Sequence, residues 1–96
     1  MYMLICYDVS TLTPEGRRRL RKVARLCKDY GQRVQKSVFE CDLGDVQWAT
    51  LRPALLSTFN PDEDSLRFYN LGEDPTRRVE HHGVRPSIDF EGPLIA

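Results

Sequence analysis

What this chain has little of narrows its nature before any motif is considered. It has no net charge, since 14 lysines and arginines balance 14 aspartates and glutamates, and a neutral total taken alone argues against a nucleic-acid partner. It has three cysteines, Cys6, Cys27 and Cys41. They are odd in number, widely spaced and set among apolar neighbours, which argues against a disulfide framework or a CxxC metal site and for core packing in a reducing compartment. No run is long enough to span a bilayer, and Met1 leads straight into apolar residues without the basic start or cleavage site of a signal peptide. The expected location is cytoplasmic, without membrane contact. No repeat or low-complexity segment interrupts the 96 residues, and a chain of this length is expected to form one core whose remaining surface leaves room for a partner.

Charge is absent only on average. Residues 17–36 carry nine basic side chains and one acid, Asp29, whereas residues 37–74 carry eight acids against Arg52 and Arg67. Such asymmetry gives one face a positive field, and a nucleic acid is attracted to the face rather than to the mean.

The run "YMLICY", residues 2–7, predicts a strand buried on both faces. Thr13 as cap, Pro14 in the first turn and Leu20, Val23, Ala24, Cys27 and Tyr30 at helical spacing predict a helix that stops at Gly31, with Arg18, Arg21, Arg25 and Lys28 on its outer side. "QRVQKSVFECD", residues 32–42, predicts a short and a longer strand. Asp45 opens a second helix with Trp48, Leu51, Leu55 and Phe59 on its buried stripe, and Pro53 is expected to kink or break it near Thr50. "SLRFYNL", residues 65–71, predicts another strand, and "RVEHHGV", residues 78–84, one more short strand. Two right-handed crossovers in this order give an α+β fold: a ferredoxin-like βαββαβ core over residues 1–83, with a four-stranded antiparallel sheet, both helices on one face and a C-terminal tail, residues 84–96. The other face is left bare, and an identical copy is the simplest cover, so a homodimer is expected.

Asp8 ends the first strand on the side shared by Leu4 and Cys6. One carboxylate is too few to hold a divalent ion, but in a two-fold dimer joined through the open faces, Asp8 from both protomers could share one Mg²⁺ or Mn²⁺ and activate water against a phosphodiester. The competing reading makes Asp8 a turn residue bonded to backbone N–H groups of the "DVST" stretch. The arginine-rich helix likewise reads as a solvated face or as a phosphate-binding track. If phosphate-binding, it would be independent of base sequence.

At this point the chain resembles a family. "MLICYDVS", the Arg/Lys-rich helix, "GQRVQKSVFECDL", a second helix and "DSLRFYNL" are similar to the small CRISPR-associated adaptation nuclease family (Cas-two type), over residues 1–83. The resemblance implies a ferredoxin-like homodimer, a catalytic and metal-binding role for Asp8, cleavage of RNA or DNA, and a place as the bridge between dimers of the CRISPR integrase. Tyr7 and Asp8 match the strand-end pair, and Arg33 and Phe39 match the arginine and aromatic of the second block, with Tyr7 and Phe39 in supporting roles. Extra residues around "TLTPEG" leave the helix arginines less securely aligned: Arg19 and Arg21 are the chosen matches, with Arg17 or Arg18 as the alternative, and these together with Arg25 of the outer face and Arg33 are the expected nucleic-acid ligands.

Arg77 and Arg78 extend that track or are ordinary linker charges. His81 and His82 would point to opposite faces of a strand and are read as structural. Glu40, Asp42 and Asp45 are read as cap and turn residues. Alternating Ile88 and Phe90 with the apolar end Leu94-Ile95 favour a tail strand that docks on a partner by edge addition. The expected partners are a second copy, the CRISPR integrase, and double-stranded DNA or single-stranded RNA. An RNA-recognition module of the same strand order would need exposed aromatics and a glycine that "KSVFECDL" lacks; a toxin-like metal-dependent ribonuclease acting without an integrase is the competing enzyme.

Overall fold

In the computed structural model, which describes residues 1–74 and 78–84, the apolar N-terminal run becomes the strand around which the sheet is built. This strand, β1 (Tyr2–Asp8), is followed by α1 (Pro14–Tyr30), β2 (Gln32–Gln35), β3 (Val38–Asp42), α2 (Asp45–Thr58) and β4 (Ser65–Asn70). The sheet order is β2-β3-β1-β4, antiparallel throughout. This is the ferredoxin-like arrangement that the strand and helix pattern predicts.

Side-chain alternation divides β1 between two environments. Met3, Ile5 and Tyr7 are buried beneath the helices, while Tyr2, Leu4 and Cys6 are half-buried and Asp8 is exposed. Within one chain the strand is therefore buried on one face only, which corrects the two-faced burial predicted from its continuous apolar run.

On the covered side, Ile5, Val23, Cys27, Phe39, Cys41, Leu51 and Leu55 are fully excluded from water and form the core. Burial pushes the thiols of both Cys27 and Cys41 up to about 12, so both stay protonated and pack as small apolar groups.

Helix α1 starts as its sequence dictates: the Thr13 hydroxyl accepts a hydrogen bond from the Gly16 N–H at 3.1 Å, and Pro14 opens the first turn. It ends at Gly31 for reasons of space. The backbone there is extended, and a Cβ would overlap Cys41 Sγ and the Glu40 carbonyl oxygen.

Helix α2 runs unbroken through Pro53, correcting the expected break. The carbonyl that Pro53 leaves unpaired is that of Ala49, an exposed residue, so water can satisfy it. Buried Leu51 and Leu55, together with Trp48 packed edge-on to Phe68 at 4.9 Å between ring centres, hold both halves of the helix to the sheet. Phe59 stands at the C-cap instead of on the buried stripe.

Residues 78–84 form no strand, again unlike the expectation. Gly83 adopts φ +92°, outside the extended region a strand needs. The segment lies beside the helix-free face, where Val79 and Val84 join Tyr2, Leu4, Val34 and Val38 around a groove of about 600 Å³. The expected tail strand and Arg77 lie outside the described residues. Among the described residues no helix is long and apolar enough to cross a membrane.

Candidate functional site

Asp8 sits between two anchored residues. Tyr7 before it and Val9 after it are 6 % and 8 % exposed, yet Asp8 itself points to solvent on the helix-free side. It is the last residue of the central strand, opposite Ser65 of β4. Its carboxylate accepts no hydrogen bond among the described residues, so the turn-residue reading finds no support in the geometry.

The chain beyond Asp8 is fastened by a residue that sequence reasoning passed over. Asp64, the residue just before β4, has a side chain fully shielded from solvent. Its carboxylate accepts hydrogen bonds from Arg19 Nε at 2.8 Å, Arg19 Nη2 at 3.2 Å, the Ser10 N–H at 3.0 Å and the Asn60 N–H at 2.8 Å. The bonds from Arg19 foremost hold the Asp64 carboxyl below the usual carboxylate range, against the opposing effect of burial. A depressed folded-state pKa contributes stability that is complete above the ordinary carboxylate value and is lost only as pH falls through the lower folded value. The clamp is thus fully charged at neutral pH. Position was the available signal: Asp64 immediately precedes the strand that pairs with Asp8.

Arg19 is accordingly engaged, with Glu63 as an additional ion-pair partner at 3.6 Å. The other helix arginines differ. Arg17, Arg18, Arg21 and Arg25 are exposed along α1 together with Lys22. Arg17 donates to the Thr11 carbonyl oxygen at 3.1 Å, and Arg18 pairs with Glu15 at 3.4 Å. Arg78 is exposed in the segment beside the sheet.

Tyr7, Arg33 and Phe39 come together, but on the face opposite Asp8. The Tyr7 and Phe39 rings stack with centres 6.2 Å apart, and the Arg33 guanidinium carbon lies 5.1 Å from the centre of the Phe39 ring. Burial pushes the Tyr7 hydroxyl up, while its hydrogen bond to Arg33 acts in the other direction. The strand-end pair Tyr7-Asp8 therefore serves two sides of the sheet: Tyr7 packs inward and Asp8 faces out.

No group of three or more His, Cys, Asp or Glu side chains suited to a metal ion occurs among the described residues. Glu40 accepts a hydrogen bond from the Tyr2 hydroxyl at 3.2 Å, His82 pairs with Glu80, and His81 Nε2 meets the Gly83 carbonyl oxygen. Asp45 is the first residue of α2, capped at Gly44, whose N–H donates to Gln47 Oε1 at 2.9 Å. Asp8 combines a hard oxygen donor that has no hydrogen-bond partner among the described residues with a backbone held between two buried neighbours. It fits a divalent ion only if a second chain supplies the remaining carboxylate.

Fold and site together define a ferredoxin-like α+β protein with one helix-free sheet face, a free carboxylate at the end of its central strand and a basic first helix. Residues 1–79 match the family described as CRISPR associated protein Cas2, and the chain belongs to that family of CRISPR adaptation proteins. It is 55 % identical over 95 residues to the CRISPR-associated endoribonuclease Cas2 of Chlorobaculum tepidum, covering 99 % of each chain. It is 52 % identical over 95 residues to the CRISPR-associated endonuclease Cas2 of Halalkalibacterium halodurans, again covering 99 % of each. The crystal structure of Streptococcus pyogenes Cas2 superposes with a TM-score of 0.74 at 51 % identity, covering 86 % of this chain and all of that one.

Proposed function

We propose that this chain acts in CRISPR adaptation as a homodimer joined through its helix-free sheet faces, with metal-dependent phosphodiester cleavage at the paired Asp8 residues and sequence-independent DNA binding by α1. The observation that carries the reading is the free, exposed Asp8 carboxylate on the one sheet face that no helix covers. The half-buried Tyr2, Leu4, Cys6 and Val38 on that face supply apolar surface for a second copy.

Asp8 from each of two chains would hold one Mg²⁺ or Mn²⁺. When bound, such an ion polarises a phosphodiester and supplies an activated water. Arg17 and Arg18, at the end of α1 joined to β1 by a short loop, are the cations placed to draw a phosphate backbone toward that end of the sheet. The relatives named endoribonuclease and endonuclease make single-stranded RNA and double-stranded DNA the substrates to compare.

DNA binding away from the carboxylate, as a bridging role beside the CRISPR integrase would use it, is supported by a separate observation. Arg21, Lys22 and Arg25 lie on the outer side of a helix that packs on the sheet face opposite Asp8. DNA held there lies across the domain from the carboxylate, so binding and cleavage are separable.

The test is Asp8→Ala, assayed on both substrates with Mg²⁺, Mn²⁺ and EDTA. Metal-dependent cleavage falls at least about 100-fold, the scale of losing a catalytic metal or general-base function, while duplex binding is retained. Equal cleavage by both proteins would contradict the assignment to Asp8.

A further inference from the structure

The Asp64 carboxylate has more hydrogen bonds than a turn requires. Its donors include two residues far along the chain: Ser10 is 54 positions away and Arg19 is 45. The third donor residue is local, the Asn60 N–H of the loop before β4. Asp64 thus joins the β1–α1 loop, the first half of α1 and the start of β4 at one buried point.

Asp8 lies inside the span this point controls. It pairs with Ser65, the residue next to Asp64, and it precedes Ser10 by two positions. Ser10 is confined from its other side as well, because its carbonyl oxygen occupies the space where a Cβ of Gly16 would be. With Tyr7 and Val9 in the core, the backbone carrying Asp8 is anchored on both sides, although its carboxylate has no partner among the described residues.

We propose that Arg19 and Asp64 are positioning residues for Asp8: their ion pair pins Ser10 and Ser65 so that the Asp8 carboxylate is presented to a divalent ion at low reorganisation cost. The inference rests on the metal-binding reading of Asp8. It also assigns Arg19 a task other than phosphate contact. An outer partner that orients a metal ligand commonly changes metal affinity by 10- to 100-fold when removed, and prior ordering of a ligand strengthens binding by lowering the cost of immobilising it.

The experiment measures Mn²⁺ dissociation constants from the electron paramagnetic resonance signal of the free ion, on the full chain, for wild type, Asp8→Ala, Asp64→Asn and Arg19→Lys. Each protein is held well below its own melting midpoint. Asp64→Asn removes the charge and one acceptor oxygen, whereas Arg19→Lys keeps the charge but loses the two-pronged geometry. The expected result is Asp8-dependent binding in wild type, weakened about tenfold in Asp64→Asn and to a smaller extent in Arg19→Lys. Wild-type affinity in folded variants overturns the positioning role, even if their melting points fall, because a purely structural clamp would lower the melting point alone. Should Asp64→Asn not fold, Arg19→Lys decides: weaker binding supports the inference and unchanged binding overturns it. Wild-type binding no stronger than that of Asp8→Ala overturns the metal reading itself, and this inference with it.

Discussion

At the scale of single residues, the site combines one free side chain with several that are fully committed. Asp8 keeps its lone pairs available, whereas Asp64 spends four hydrogen bonds on the backbone and guanidinium around it. Gly16 belongs to the same construction. A glycine near the start of a helix ordinarily gains about 1 kcal/mol on replacement by alanine. Here the added Cβ would run into the Ser10 carbonyl oxygen, and neither Ser10, held by Asp64, nor the capped first turn can retreat freely. Gly16→Ala is therefore expected to destabilise the protein by about 1–3 kcal/mol, the range for overpacking. Chemical denaturation checks the sign, and a stabilised variant would show that the loop can yield.

At the scale of elements, β1, α1, β3 and β4 were legible because their signals are local: an unbroken apolar run, a Thr-Pro start, a helical stripe and short β-rich segments. Features set by packing or by distant partners were not, and two of them bear on the site. The continuity of α2 depends on Leu51 and Leu55 packing against the sheet on either side of Pro53, and a propensity rule has no access to that packing. The clamp joins residues 45 and 54 positions apart, so Arg19 looked like one more member of a basic helix until the fold brought Asp64 to it. The basic face was legible as a pattern, although its membership changes. With Arg19 paired inward, the candidate phosphate ligands on α1 are Arg17, Arg18, Arg21 and Arg25. Replacing Arg21 and Arg25 by alanine is predicted to weaken duplex binding about equally for unrelated sequences. It should also lower the slope of log affinity against log salt by about 0.9 for each phosphate that is no longer neutralised. Cleavage should still require Asp8. A change confined to one DNA sequence, or a slope equal to that of wild type, would argue against α1 as the backbone-binding element.

At the scale of the whole molecule, the division of the sheet into a helix-covered face and an open face organises everything else. The core, the thiols of Cys27 and Cys41, and the Tyr7–Arg33–Phe39 cluster lie on the covered side. Asp8, Cys6 and the half-buried apolar residues of β1 lie on the open side. Zero net charge conceals a second division, between the basic surface of α1 and the acidic stretch that follows it. A single chain offers one carboxylate where a divalent ion needs several oxygen donors, so the proposed chemistry is a property of two chains. The most direct measurement is the stoichiometry of Mn²⁺ by equilibrium dialysis, taken together with the mass in solution by sedimentation. The proposed arrangement predicts a species of two chains holding one ion, and no saturable binding in Asp8→Ala; one ion per chain, or binding that survives Asp8→Ala, would contradict it.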